Sequence, residues 1–387
     1  MWYNNTMKLK HFLSREFRAL ATFVGMIIGA GIFGVPYVIA QSGVVVALVW
    51  FVVLGIVLYL AQIYFGRIVL AIPGHHRFPG FAGILLGKKG KNLAGFLSIL
   101  SSWATLVVYI IIGGTFLHEL LFGFFGGSLF IYQCIFALSS LLVVHGGLKT
   151  VGKSEGLMTT ILIVVFLVIV GIIFPSVSVS NFTFLNINQA FLPYGVILFA
   201  ISGLNVIPEI KDLLGREEAQ KHLFKIIGVG TLISIIVTIL FGLIVVGVTG
   251  NSTTPDAIAG LGAILGNKIV YLGALFGIFA IITSFFPVLM NLQETFSLDF
   301  KLSNVWSWLL SIGVPILFFV VGSRNFIQML GLTGGVFGGL IDAFLIFVYI
   351  AFLKREKKPR LYFVMPIIII LFFVIGALNE LFGFFSL

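Results

Sequence analysis

The sequence predicts an all-α integral membrane protein. About eleven transmembrane helices follow a cytoplasmic N-terminus and form a five-plus-five inverted repeat, with helices 1 and 6 broken. Three observations lead there. Of 387 residues, 60% are hydrophobic and 9% charged, with a mean hydropathy of +1.19, which lies outside the range of soluble domains. Lys and Arg gather on one side of the apolar stretches. Two of those stretches, five spans apart, carry a glycine–proline interruption at matching places.

The spans come first. No Asp, Glu, Lys or Arg occurs from Ala19 to Gly66 or from Gly156 to Pro208. Each run accommodates two crossings of about 20 residues. The stretches fall at about 18–41, 43–70, 92–121, 128–148, 155–175, 190–213, 222–248, 268–297, 304–322, 326–352 and 361–382. The first is too long for a cleavable signal peptide, and further spans follow it. With the N-terminus cytoplasmic, all 23 Lys and Arg except Lys268 and Arg324 fall on the cytoplasmic side. The inverted arrangement would violate the positive-inside bias. The net charge of +10 is therefore a topology signal with some attraction to anionic lipid, and no nucleic-acid partner is expected. A multi-pass protein of the cell membrane follows, with the lipid bilayer as its surroundings.

The chain divides into a cytoplasmic lead-in (1–17), a first five-helix repeat (18–175), a second, inverted one (190–352), and a peripheral eleventh helix with the C-terminus (361–387). The loop from Arg67 to Lys91 is long enough for a short interfacial helix. The polar segments 176–189 and 249–267 lie outside, and Pro255-Asp256 with its small neighbours suggests a short surface helix. Lys354 to Arg360 marks the cytoplasmic side after span ten. The single Cys134 excludes an internal disulfide, and the six histidines show no metal-ligand spacing. No cofactor is expected.

The first interruption is Gly25 to Pro36, which holds Gly29-Ala30-Gly31-Ile32-Phe33-Gly34. Glycines followed by proline suit a continuous helix poorly. In lipid, freed backbone groups must face protein, a cavity or a ligand. The pattern G-x-G-x-x-G is no dinucleotide fingerprint here, because no strand precedes it and no acid lies about 20 residues on. Its physics survives: free N–H groups at a helix start attract an anion, here a substrate carboxylate. Close helix packing by small residues is the alternative. The second interruption is Phe199-Ala200-Ile201-Ser202-Gly203, ending at Pro208-Glu209. Glycine precedes proline by five residues in both stretches (Gly31 and Pro36, Gly203 and Pro208), and the two spans run in opposite directions. Paired interrupted spans in opposed halves point to a transporter with its site near midplane.

Ionisable groups within spans are few and costly. Asp342, in span ten, is a proton carrier, a gate or a structural acceptor. Glu209 is an inner gate or a cap, and Glu294 is interfacial. Tyr109 offers a hydroxyl to a carboxylate or packs with a local hydrogen bond. Thr283 and Ser284 follow Ala280 in span eight. Their hydroxyls either bond back to carbonyls or join carbonyls around a hard cation such as sodium. Gly152-Lys153-Ser154-Glu155-Gly156 matches G-x-S-x-G only by coincidence, since no strand precedes it and no His–Asp pair is at hand. No enzyme constellation appears.

Together, Gly29 to Pro36, Phe199 to Glu209 and the eleven-span layout resemble the amino-acid permeases of the amino acid–polyamine–organocation superfamily, with its leucine-transporter fold. The likeness covers nearly the whole chain. Its length and the segment Phe78–Gly90 lean toward the hydroxy/aromatic amino-acid permeases. The resemblance implies that Gly29, Ala30 and Gly31 offer N–H groups to the substrate carboxylate. It implies that carbonyls of Ile27, Phe199, Ala200 and Ser202 receive the ammonium, and that Phe33, Phe199 and Tyr109 shape the side-chain pocket. It also implies a sodium ion held by carbonyls of Gly25, Ile28 and Ala280 and hydroxyls of Thr283 and Ser284. Span five holds no lysine at 157–175, unlike proton-coupled relatives that place one at the cation position. Ile32 replaces the asparagine of relatives with a second sodium site. The resulting expectation is a secondary active transporter importing a neutral, large apolar or aromatic L-amino acid on a sodium gradient by alternating access. The alternatives are proton-coupled symport or amino-acid exchange, with Asp342 or Glu209 titrating, and a non-transporting membrane receptor.

Overall fold

The computed structural model describes residues 15–145 and 151–385, so most of the lead-in lies outside the described residues. Among these, the regular structure is helical throughout. Helices α1 (Arg15–Ile27) and α2 (Gly31–Ser42) form the first broken span, bent by 50°. After α3 (Val44–Ala71) comes α4 (Phe78–Phe125). Gly87 interrupts α4 at φ 73°, a conformation that glycine adopts without steric cost. The arm before it, starting at Phe78, is the short helix expected in the 67–91 loop; the part beyond it is span three. Next come α5 (Leu129–His145) and α6 (Val151–Ile173). The G-x-S-x-G match falls inside α6, not at a strand–helix turn.

The second broken span is α7 (Leu192–Ile201) and α8 (Ile207–Leu214), joined through a single tight turn at Leu204–Val206. Pro193 and Pro208 sit in the first turns of these two helices, where a missing N–H costs least. Then follow α9 (Arg216–Thr249), the short α10 (Ile258–Leu265), α11 (Asn267–Glu294) and α12 (Asn304–Val321). The tenth span is three pieces: α13 (Phe326–Gly331), a wide π-helical stretch over Leu332–Gly338, and α14 (Gly339–Arg355). Helix α15 (Val364–Phe385) ends the chain.

Eight described helices are long and apolar enough to cross a bilayer, and the bent α1–α2 pair makes a ninth. The described apolar parts of the fourth and fifth expected spans, Leu129–Ser139 and Thr160–Ser176, are shorter. Burial separates centre from rim. The α7–α8 span is 78% buried along its apolar window, whereas α12 and the C-terminal span are 28% buried. The broken spans are therefore the axis of the molecule, where breaks in the backbone can be covered by protein.

Apolar helices gain little from leaving lipid for each other, so close van der Waals packing at small residues holds them together. Gly195 on α7 meets Gly331 on α13 so closely that a Cβ on Gly195 would stand 2.6 Å from the Gly331 carbonyl oxygen. At one end of the bundle, segment 176–189 straps the start of α3: Val44 and Val45 donate N–H groups to Thr183 and Phe184, and Asn186 donates to Ser42. Helix α10 lies where a surface helix was expected, but Ile258 and Leu261 turn inward and are buried. The other end carries the basic residues. Arg77 pairs with Glu294, Lys211 donates to the Gly74 carbonyl at 2.8 Å, and His75 lies 3.1 Å from Asp212. Glu294 is thus held in an ion pair at the basic end.

Substituting Gly195→Val should lower the unfolding temperature in detergent, because the opposing atoms are backbone and the helices must separate; overpacking of this kind costs about 1–3 kcal/mol. Gly171→Ala, with nothing within 4 Å of the new Cβ, should be neutral or slightly stabilising. Equal unfolding temperatures for the two variants would contradict this packing.

Candidate functional site

The two breaks meet. A Cβ on Gly31 would lie 2.5 Å from the Ala200 Cα, so the start of α2 rests directly on α7. Below this contact, toward the basic end, a cleft encloses about 720 Å³, open solvent included. From the breaks it is lined by Met26, Ile27, Gly29, Phe199, Ser202 and Gly203; α4 contributes Ser101, Ser102, Thr105 and Tyr109; the tenth span contributes Thr333, Gly334 and Gly338. Asn205, past the second break, lines the cleft and is exposed, which puts the mouth at the basic end. The far end is shut by Phe33, whose ring packs against Phe116, Phe241 and Phe276 at 4.7, 5.8 and 5.6 Å between centroids.

Of the residues that the resemblance assigned to substrate, Ile27, Gly29, Tyr109, Phe199 and Ser202 line the cleft, whereas Ala30, Gly31 and Ala200 stand behind it. The Gly29 N–H donates to the Ile27 carbonyl at 2.9 Å, so these two groups satisfy each other rather than facing a carboxylate and an ammonium. Among the described residues, no backbone carbonyl receives the N–H groups of Ala30 and Gly31, which sit at the start of α2. Those are the donors left for an anion. Phe33 does not shape the pocket; it plugs the closed end, because α2 turns that side chain away from the cleft. Tyr109 and Phe199 do form a wall, edge to face at 6.3 Å.

The five residues expected around sodium lie behind the cleft wall. Ser284 reaches across from α11 and donates to the Gly25 carbonyl at 3.2 Å, with Met26 O at 3.4 Å. A Cβ on Gly29 would stand 2.6 Å from the Ser284 hydroxyl oxygen and 3.3 Å from that of Tyr109. Thr283 donates to Ala280 within its own helix at 2.9 Å. Both hydroxyls are thus engaged with carbonyls, the first of the two roles the sequence left open. Gly25, Ala280, Thr283 and Ser284 are nonetheless gathered at one helix crossing, and a cation there would replace these bonds. Ile28 follows α1, its N–H bonded to Val24.

Asp342 is 3% exposed, stands apart from the cleft, and leaves Oδ2 without a hydrogen-bond partner. Glu209 faces the charges of Arg77, Glu294 and Asp212 at the basic end. Three features went unread in the sequence. Ser101, Ser102 and Thr105 extend from Tyr109, already singled out, as a polar stripe at helical spacing, visible in an otherwise apolar span. The π-helical stretch follows a run rich in glycine: Gly331, Gly334, Gly335, Gly338 and Gly339. Glu380, on the helix expected to be peripheral, packs its carboxylate against Gly331 and Gly335.

This arrangement of broken helices has known counterparts. A transporter solved as MhsT in complex with L-phenylalanine superposes with a TM-score of 0.71 at 16% identity, covering 94% of this chain and 98% of that one. Mhp1, a nucleobase-cation-symport-1 family transporter solved in a closed conformation with bromovinylhydantoin bound, gives 0.64 at 15% identity over 90% and 80%. Both place the chain in the leucine-transporter fold. Tyrosine-specific transport system 1 of Haemophilus influenzae is 26% identical over 333 residues, which is 81% of this chain and 82% of that protein. The model of the tryptophan/tyrosine permease family matches residues 16–382. The chain is a permease rather than an enzyme, and it belongs to the tryptophan/tyrosine permease family.

Proposed function

We propose that the protein imports a neutral aromatic L-amino acid by alternating access, driven by a sodium gradient. One observation carries the substrate class. The cleft at the two helix breaks is walled by Phe199 and Tyr109, and no Asp, Glu, Lys, Arg or His is among its lining residues. A charged side chain would find no counter-ion there, and leaving it unpaired out of water is expensive. An aromatic ring finds two rings and a set of hydroxyls. The tyrosine transporter of Haemophilus influenzae supports the same class.

The amino-acid backbone would sit at the breaks, its carboxylate toward the N–H groups at the start of α2 and its ammonium toward carbonyls of α7. The positive-inside bias assigns the basic end to the cytoplasm, so the cleft would open inward. Outward opening would need the Phe33 cluster to part while the basic end closes, with α1–α2 and α7–α8 rocking on their breaks. Sodium at the crossing of α1 and α11 would stiffen that junction by replacing the Ser284–Gly25 hydrogen bond.

A second reading rests on Asp342. Its buried, unpartnered carboxylate would suit a proton carrier, and proton-coupled uptake or exchange would then replace sodium.

Proteoliposomes holding the full chain should take up an aromatic amino acid against a competition panel of the twenty amino acids, more strongly with a sodium gradient. Failure of every amino acid under either gradient would sink the transport reading. Thr283→Ala with Ser284→Ala should abolish the sodium dependence; if uptake keeps the same dependence, the cation site is elsewhere. Asp342→Asn should leave sodium-driven uptake in place, whereas loss of a pH-driven component in that variant would favour the second reading.

A further inference from the structure

Hydroxyls inside helices usually return their hydrogen to a carbonyl one turn back. Thr105 does so to Ser101 at 2.8 Å, Thr115 to Ile111 at 2.9 Å and Thr283 to Ala280 at 2.9 Å. Thr333 does not. Its hydroxyl is buried, with the residue 2% exposed, and among the described residues it has no partner. Thr333 is the second residue of the π-helical stretch Leu332–Gly338, where the backbone ladder widens. Such stretches recur at functional sites. Ser98, Tyr194, Ser234, Thr238 and Ser307 also hold buried hydroxyls without a partner among the described residues, but of these six Thr333 alone lines the cleft.

The neighbours of Thr333 say what it would meet. Gly334, next in the chain, presses against Phe199: a Cβ there would stand 2.8 Å from the Phe199 Cβ. The π-helical stretch is therefore fixed beside the aromatic wall of the cleft, and Thr333, a residue of the cleft lining, holds a buried hydroxyl that has no partner among the described residues. An unpaired hydroxyl in such a place is costly unless a ligand pairs it. A ring lying against Phe199 and Tyr109 would bring a polar substituent within its reach.

We propose that Thr333 is a specificity-determining residue: its hydroxyl hydrogen-bonds the polar group on the substrate ring, a phenol O–H or an indole N–H, and so favours tyrosine or tryptophan over phenylalanine. This rests on the reading of the cleft as an aromatic amino-acid site. A site built to bond a substrate donor discriminates strongly against the analogue that lacks it, because its own polar group is then left unpaired.

The test is uptake by the full chain in proteoliposomes, with tyrosine, tryptophan and phenylalanine each measured alone and in competition. Wild type should prefer tyrosine or tryptophan to phenylalanine. Thr333→Val keeps the shape and removes the hydroxyl. It should weaken apparent affinity for the preferred substrate about tenfold and change phenylalanine by less than about twofold. Thr333→Ser should restore the preference. Which of tyrosine and tryptophan weakens identifies the phenol or the indole as the group read. Equal changes for all three substrates in Thr333→Val, or no change in any, would overturn the proposal. Should the valine variant fail to fold, wild type still decides: phenylalanine taken up as well as tyrosine and tryptophan overturns it. Wild type that takes up none of the three overturns the aromatic amino-acid reading itself, and that result is distinct from a loss of discrimination.

Discussion

A helix that stops in the middle of a bilayer exposes N–H and C=O groups to a solvent that cannot pair them, and this constraint organises the molecule. Two such helices tolerate it only by meeting each other under the cover of protein. Gly31 and Ala200 make that meeting close, since a side chain at Gly31 would collide with the opposing backbone. Within the first break, the Gly29 N–H turns back onto Ile27, and Ser284 reaches over from α11 to the Gly25 carbonyl. Among the described residues, the Ala30 and Gly31 N–H groups at the start of α2 are left without a backbone partner, and they give the break its chemical meaning.

Asymmetry follows from what surrounds this centre. On one side, three phenylalanine rings close around Phe33, two of them edge to face, an arrangement worth about 0.5–1.5 kcal/mol per pair beyond contact area. On the other side, the hydroxyl stripe of α4 leads to exposed Asn205, and ion pairs such as Arg77–Glu294 connect the loop before α4 to the end of α11. Apolar closure at one end and polar, charged contacts at the other can be exchanged by small movements. Neither end is locked by a disulfide, since Cys134 is the single cysteine.

Much of this was legible in the sequence, for identifiable reasons. Hydropathy fixes span limits to within a few residues because about 20 apolar residues are required whatever their order. Both breaks were readable because glycine and proline act locally on the backbone. Direction was not readable. Phe33 lies four residues from Gly29, yet it points into the closed end, and nothing in the residue order distinguishes a wall from a plug. The third interruption, at Leu332–Gly338, lacks a proline, and its five neighbouring glycines resemble ordinary small-residue packing. Thr283 and Ser284 were recognised as a pair of hydroxyls; their engagement with Ala280 and Gly25 depends on a helix crossing that only the fold supplies. Glu380 escaped notice because its helix looked peripheral, and on most of its surface it is.

Side-specific accessibility is the most direct test of the central claim, that one cleft lies between the two breaks and opens only at the basic end. Single cysteines at Ser102→Cys and Leu330→Cys, in a Cys134→Ser background, can be reacted with a membrane-impermeant maleimide in vesicles of either orientation. Ser102 lines the cleft, and Leu330 is fully buried beyond the breaks. The account predicts labelling at position 102 only from the side bearing the basic residues, with protection by an aromatic amino acid, and none at position 330 from either side. Labelling at 330 from the opposite side, with 102 unreactive, would contradict it.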